Sequence, residues 1–457
     1  MIRSLTALAM TLGVCLGNAA CAGLPVSAEG PLPAAVRSHP ESFIVVTVRN
    51  DTAPVAPRAG STMRGYDGAA RYTVGNNARS AVTALATAHH LREVSSWPIA
   101  ALGIHCIVFE LPANETAAQM IERLRHDARV ETVQPLNAFA TQSTHQPATH
   151  QPATPHPSTT YNDPYQGLQV SLVKMNVLPA HRWSRGAGVR VAIIDTGVDS
   201  AHPDLAGRIA ERRNFVDDDD WTFNHDRHGT AVAGVIAADS NNRIGIVGVA
   251  PEARLYVYKA CWQLAGAHEG AACNTFTLAK ALAAAIDARV QIVNLSLSGP
   301  EDSLLTRLVA RGQQQGIIFV GAASAATDPS ASAKSQAGFP GGINGVITVA
   351  AIEHHRTESG VLLAPGAEVL TLVPEGHYDF ISGSSLAAAN VSGAIALLKA
   401  RDRTLMTGQL KQLLTTTSRN VATGDTTETA VDACAALGAL LKQDSCPQSG
   451  AASVAAE

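Results

Sequence analysis

Two textures of hydrophobic patterning divide the chain. In the first, "ESFIVVTVRND" and "HCIVFELP" are dense in Val, Ile and Phe and predict strands. "NETAAQMIERLRHDA" spaces its apolar residues three and four apart and predicts a helix with Asn114 as N-cap, and "RVETVQPL" predicts a further short strand. Strand, helix and strand within about 100 residues make a small α+β unit. From Tyr161 the second texture begins: apolar runs such as "VRVAIID", "ARLYVYKA", "VQIVNLSLS", "IIFVGAAS" and "GVITVAAI" alternate with helical patterns in "GTAVAGVIAA", "TLAKALAAAIDA", "LLTRLVARGQQQ" and "SGAIALLKA". Strands that lose the in-out alternation have both faces covered. The expected fold class is therefore α/β, a parallel sheet flanked by helices and preceded by a small α+β domain. In such sheets polar chemistry gathers in loops beyond the carboxyl ends of the strands.

Between the two textures lies "TQSTHQPATHQPATPHPSTT", residues 141–160, a Pro-, Thr-, His- and Gln-rich stretch with a local "THQPA" repeat. Its histidines are candidate metal ligands by type, but this composition cannot build a core and reads as a solvated, protease-accessible tether. The N-terminus, "MIRSLTALAMTLGVCLGNAACAGLPVSAEG", has one Arg, an apolar run from Leu5 to Leu16, and small-residue cleavage candidates at Val26-Ser27-Ala28 or Ala20-Cys21-Ala22. It reads as a secretory signal. As an anchor its apolar part falls short of the roughly 20 residues that span a bilayer. A lipid on Cys21 is disfavoured by Asn18, which stands where such signals carry an aliphatic residue. The expected organisation is a signal over 1–28, an α+β domain over 29–140, a linker over 141–160, a main domain over 161–440 and a tail over 441–457, in a protein exported to the periplasm or beyond.

The 457 residues carry a net charge of -4 with Lys and Arg scattered, so neither a nucleic-acid footprint nor a polybasic membrane patch is present. No nucleic-acid partner, no strong membrane association and a monomer are expected. The seven cysteines sort by segment: Cys15 and Cys21 in the signal, Cys106 in the α+β unit, and Cys261, Cys273, Cys434 and Cys446 in the main domain. In an oxidising setting the last four most simply give two short-range disulfides, Cys261 with Cys273 and Cys434 with Cys446, against the alternative of free buried thiols. No Cys-x-x-Cys or His-x-x-x-His spacing suggests zinc.

Three polar residues stand at element boundaries. Asp195 follows the apolar strand "VRVAIID", where a carboxylate is costly unless a basic group pairs with it or it caps the next turn. His228 lies in "HDRHGTAVAGVIAA", just ahead of a small-residue helix, and Ser385 opens the helix that begins in "GSSLAAANVSG". A hydroxyl at a helix N-terminus sits near backbone N–H groups able to stabilise an oxyanion. Each residue alone has a structural explanation. Together, Asp, His and Ser in this chain order form one of the known arrangements of a serine-protease triad.

At this point the chain from about Tyr161 to Leu440 is seen to resemble the subtilisin-like serine proteases, the subtilase or peptidase S8 family. The resemblance runs through "VAIIDTGVDSAHPDL", "HGTAVAGVIAADSNNRIGIVGVAPEARLYVYKA", "IVNLSLSGP" and "LLAPGAEVLTLVPEGHYDFISGSSLAAANVSG", in the family's order. It implies that Ser385 attacks the scissile carbonyl, His228 takes and returns its proton, and Asp195 orients the imidazole. It also implies that the edge Ser296, Leu297, Ser298 and Gly299 lays out an extended peptide or protein substrate by backbone pairing. The preceding α+β unit resembles the propeptide that inhibits such enzymes and chaperones their folding, and Cys106 would leave with it. No organic cofactor is implied. Structural calcium is implied at Asp204 in "HPDL" and Asn242 in "SNNRIG", although calcium takes six to eight oxygens and these are two side chains. The acidic run Asp217 to Asp220 is a further candidate, weaker than a solvated loop.

Several positions depart from the family. Ala325 stands where an asparagine normally donates to the oxyanion, with Ser324 beside it as a substitute donor. Ser384 replaces a threonine, Ala389 and Asn390 replace a proline and its neighbour, Ser298 replaces a pocket glycine, and Ala231 replaces a frequent second histidine. These changes imply attenuated or narrow-specificity activity. They also open a different class of reading, a pseudoprotease that grips extended peptides and turns them over negligibly. An esterase of the α/β-hydrolase type is disfavoured by the triad order and by the lack of a Gly-x-Ser-x-Gly elbow.

Overall fold

The computed structural model describes residues 31–51, 73–141, 161–264, 270–324, 338–354, 360–423, 426–443 and 446. The expected signal (1–28), nearly all of the linker, most of the tail and Ala325 lie outside the described residues. Among the described residues no helix is long and apolar enough to cross a membrane.

The first unit is a four-stranded antiparallel sheet of β1 (Phe43–Arg49), β2 (Arg92–Ile99), β3 (Ile104–Glu110) and β4 (Thr132–Pro135), in the order β2-β3-β1-β4. Its two faces explain why β1 is apolar at nearly every position. Ile44, Val46 and Val48 pack with Val82, Leu85, Met120 and Leu124 of the helices Asn76–His89 and Ala117–Leu124, whereas Phe43 and Val45 turn to the other face and join Phe276, Leu304 and Leu305 of the main domain. A strand buried on both sides has no reason to alternate. The N-cap expected at Asn114 is Thr116, which accepts from the Gln119 N–H while Gln119 reaches back, a reciprocal pairing that outcompetes an earlier start. The helix Asn76–His89 and strand β2 were not legible in the pattern. "NNARSAVTALATAH" is mostly Ala, Ser and Thr, with Ala78, Val82 and Leu85 as its buried stripe.

The short strand β5 (Ala138–Thr141) follows. The main domain then supplies β6 (Arg190–Asp195), β7 (Ile209–Asn214), β8 (Arg254–Lys259), β9 (Cys261–Gln263), β10 (Ala271–Asn274), β11 (Ile292–Leu295) and β12 (Leu297–Ser298). It closes its sheet with β13 (Ile318–Ala322), β14 (Ile347–Ala351) and β15 (Leu362–Ala364). Seven strands pair in parallel in the order β15-β14-β13-β11-β6-β8-β7. Along β6, Val191 and Ile193 enter one core with the helices Arg227–Ala237 and Ser384–Arg401, while Ala192 and Ile194 enter the opposite core with Thr275–Asp287 and Ser303–Gln314. This is the doubly covered parallel sheet expected from the apolar runs. Cys261 and Cys273 are joined across β9 and β10, where they stand opposite each other, and Cys434 is joined to Cys446. Cys106 is a buried free thiol in the first unit.

Candidate active site

Asp195 is the last residue of the interior strand β6, so the sheet delivers a carboxylate into the interior without exposing it. Its Oδ1 accepts from the Thr196 N–H at 2.6 Å. His228 is the second residue of the helix Arg227–Ala237, which packs tightly on the turn after β6: a Cβ on Gly229 would lie 2.3 Å from the Gly197 carbonyl oxygen. Only glycine permits that approach. Ser385 is the second residue of the helix Ser384–Arg401, entered through Gly383 at φ 151°, a backbone conformation that excludes most side chains.

These three elements bring the side chains together. His228 Nδ1 lies 2.6 Å from Asp195 Oδ1, and His228 Nε2 lies 3.1 Å from Ser385 Oγ. All three residues are buried. The Ser385 hydroxyl also reaches the Ser296 carbonyl at 3.0 Å, so its single proton has two acceptors. With Nδ1 holding its proton toward Asp195, Nε2 can act as the acceptor. The arrangement can therefore draw the proton from Ser385 and hold the resulting imidazolium beside a buried carboxylate.

Two further charged residues brace the site. Asp226, two residues before His228, accepts from the Gly197 N–H at 2.7 Å and pairs with Lys259 Nζ. Lys259 ends β8 opposite Asp195 on β6, and both members of the pair are buried. Burial pushes the Asp226 carboxyl above the usual range, and the Lys259 ammonium opposes that shift. The pair locks the end of β8 to the start of the histidine helix. Its signal in the sequence is a lysine closing the buried strand "LYVYK", which the motif-based reading passed over.

The edge residues form a second feature. β12 pairs with β5 of the preceding unit, Leu297 opposite Thr141 and Ser298 opposite Ala140, and β5 pairs on its other side with β10. A segment of the chain itself is thus laid antiparallel between two strands of the main domain. Phe139 of β5 is buried against Phe339, ring centroids 5.5 Å apart, above Gly299, where an added Cβ would meet the Phe139 ring at 2.3 Å. Ser298 Oγ lies 3.5 Å from the exposed Ser324 hydroxyl.

Asp204 and Asn242 meet, but as partners of each other. Asn242 Nδ2 donates to Asp204 Oδ1 at 2.6 Å, the Ile246 N–H donates to Oδ2 at 2.9 Å, and the Tyr378 hydroxyl also bonds the carboxylate. Protein donors fill both oxygens, and among the described residues no group of three or more His, Cys, Asp or Glu side chains is disposed to hold a metal ion. The set does not fit a calcium cage of six to eight oxygens. In the acidic run, Asp217 pairs with Arg37, Asp220 pairs with Arg212, and Asp219 caps the helix Asp220–His225. These carboxylates are engaged with the protein.

Comparison with known proteins bears on this geometry. A family model described as "Subtilase family" matches residues 186–434, more than half of the chain. The chain belongs to the subtilase family. As such it is a subtilisin-like serine endopeptidase, of a class that acts on peptide or protein substrates and needs no organic cofactor. It is similar to the intracellular serine protease of Paenibacillus polymyxa, 39% identical over 230 residues that cover 47% of this chain and 68% of that protein. It is also similar to thermitase of Thermoactinomyces vulgaris, 31% identical over 255 residues that cover 53% of this chain and 87% of that protein. The fold likeness extends to the crystal structure of fervidolysin from Fervidobacterium pennivorans, a keratinolytic enzyme related to subtilisin, with a TM-score of 0.66 at 23% identity. That match takes in 87% of this subtilase and 61% of the fervidolysin chain.

Proposed function

We propose that this subtilase is an exported serine endopeptidase made with its own inhibitor. Ser385 Oγ attacks the substrate carbonyl, His228 Nε2 takes the proton and returns it to the leaving amine, and water then hydrolyses the acyl-enzyme. Asp195 holds the imidazole in the tautomer that leaves Nε2 open. The backbone N–H of Ser385 meets the oxyanion, and an alanine at 325 has no side-chain donor to add, so turnover is attenuated; Ser324, its neighbour in the sequence, is the candidate substitute donor. Residues 29–140, extended by Thr141, act as the propeptide, and the linker that follows is the segment cut on maturation. A structural calcium ion at Asp204 and Asn242 has no support in their hydrogen bonding.

The observation that carries this reading is the placement of His228 between Asp195 and Ser385, at 2.6 and 3.1 Å, beside an edge already engaged by an extended segment. β5 runs antiparallel to β12 toward Ser296, whose carbonyl touches the Ser385 hydroxyl, so the self-cut is expected within two or three residues after Thr141. A second reading, a peptide-gripping pseudoprotease, is favoured by Ala325 together with the smaller departures at Ser298, Ser384, Ala389 and Asn390.

One comparison separates them. The full chain and its Ser385→Ala variant are expressed, and loss of the N-terminal part is followed by mass spectrometry together with labelling by a fluorophosphonate. The wild type is expected to lose the segment and take the label, and the variant to do neither. Wild type and variant equally uncut and unlabelled, with the fold intact, would establish the pseudoprotease.

A further inference from the structure

Behind the nucleophile runs a line of buried polar groups that the proton-transfer step does not use. Ser392, two turns along the helix Ser384–Arg401 from Ser385, donates its hydroxyl to Asn294 Oδ1 at 2.8 Å. Asn294, on β11, donates Nδ2 to Ser296 Oγ at 2.9 Å. The Ser296 hydroxyl donates in turn to the Ser385 carbonyl at 3.1 Å, while the Ser385 hydroxyl reaches back to the Ser296 carbonyl. All four residues are 0% exposed. No solvent competes for these groups.

The direction of donation along the line is set by chemistry. The Ser385 carbonyl only accepts, so the Ser296 hydroxyl donates to it, the Ser296 oxygen takes the Asn294 N–H₂, and the Asn294 carbonyl is left facing Ser392 as an acceptor. The Ser392 hydroxyl donates to that fully buried oxygen and satisfies it in this orientation. Without the Ser392 hydroxyl the Asn294 oxygen loses this partner, the orientation it favoured is weakened, and the amide can turn so that Ser296 donates to Asn294 instead of to Ser385. We infer that Ser392 and Asn294 are positioning residues for catalysis, holding the Ser385 backbone through its carbonyl, and the Ser296 carbonyl with it, in register.

The reason this matters in this chain is Ala325. With no side-chain donor at that position, the backbone N–H of Ser385 carries a larger share of oxyanion stabilisation, and a donor held in place ahead of reaction is worth more than one that must reorganise. The inference rests on the reading of Ser385 as nucleophile.

The test uses Ser392→Ala and Asn294→Ala in the full chain. Loss of one directed hydrogen bond is expected to slow self-cutting after β5, and kcat on a peptide anilide, by about 10- to 30-fold with KM within about twofold. The double variant is expected to be no slower than Asn294→Ala alone, because both changes break the same line. A lowered Tm with kcat unchanged would overturn the inference by making the line purely structural. Amide hydrogen exchange of the peptide spanning Gly383 to Ala389 tests it without turnover. Faster exchange in Ser392→Ala is expected, and an unchanged rate overturns the inference. If the wild type neither cuts nor labels while this exchange difference holds, it is the protease reading that has failed and not the line of hydrogen bonds.

Discussion

At the scale of single residues, an alanine at 325 is the sharpest departure from what serine-protease chemistry asks for. A tetrahedral intermediate places negative charge on an oxygen that needs directed donors, and alanine has none to give. In a subtilisin, loss of a side-chain donor at that position slows turnover by about 10²- to 10³-fold. Ala325→Asn is therefore expected to raise kcat about 10²-fold with little change in KM, read by steady-state kinetics on a peptide anilide; an unchanged kcat would mean that another group already fills the role. The Asp226–Lys259 pair illustrates the opposite economy, since two buried charges that satisfy one another fix the backbone around His228.

At the scale of elements, β5 and β12 show how one strand pairing serves both folding and inhibition. Only two register pairs join them, so β5 is held besides by its pairing with β10 and by Phe139, which fills the space that Gly299 leaves open. Gly299→Ala would drive a methyl into the Phe139 ring, which is buried against Phe339, and is expected to loosen β5. The separately added 29–141 segment is expected to inhibit the Gly299→Ala protease at least about tenfold more weakly than the parent, a difference of about 1.4 kcal/mol in binding. Equal inhibition constants for the two would show that Phe139 does not anchor the strand. Element identity was largely readable beforehand: the apolar runs that became β6, β8, β11, β13 and β14 are strands because both faces are covered. Asn76–His89 escaped because its apolar stripe is interrupted by small polar residues, and its helicity depends on the sheet it covers.

At the scale of the whole molecule, two buried histidines tie stability to pH. Burial lowers His105, in the first unit, from 6.5 to about 4, and does the same for His181, which contacts the Val249 carbonyl and the Tyr161 hydroxyl. Both are neutral in the folded chain at mild acidity, whereas the unfolded chain begins to bind protons at 6.5. Their contribution is present in full above about pH 6.5 and is lost as the pH falls toward 4, on the order of 3 kcal/mol for each. Denaturant unfolding of the Ser385→Ala full chain, which cannot digest itself, is expected to show a midpoint that falls steadily from pH 7 to pH 4.5. A flat midpoint over that range would contradict the burial of these two rings.

Taken alone, the sequence determined the fold class and the three residues to examine, because apolar periodicity and small-residue contexts at strand and helix ends are local properties of the chain. The strands β6, β8, β11, β13 and β14 follow from runs of four to six residues, and Asp195, His228 and Ser385 stand out together, by their chain order and the family-like stretches around them, although each alone has a structural explanation. Tertiary structure decided what depends on residues far apart meeting: that Lys259 pairs with Asp226, that Asn242 and Tyr378 close on Asp204, and that Ser392 reaches Asn294 and through it Ser296 and Ser385. Hydrogen-bond partners are chosen by a fit of a few tenths of an ångström between different elements, and no local pattern along a chain encodes that distance.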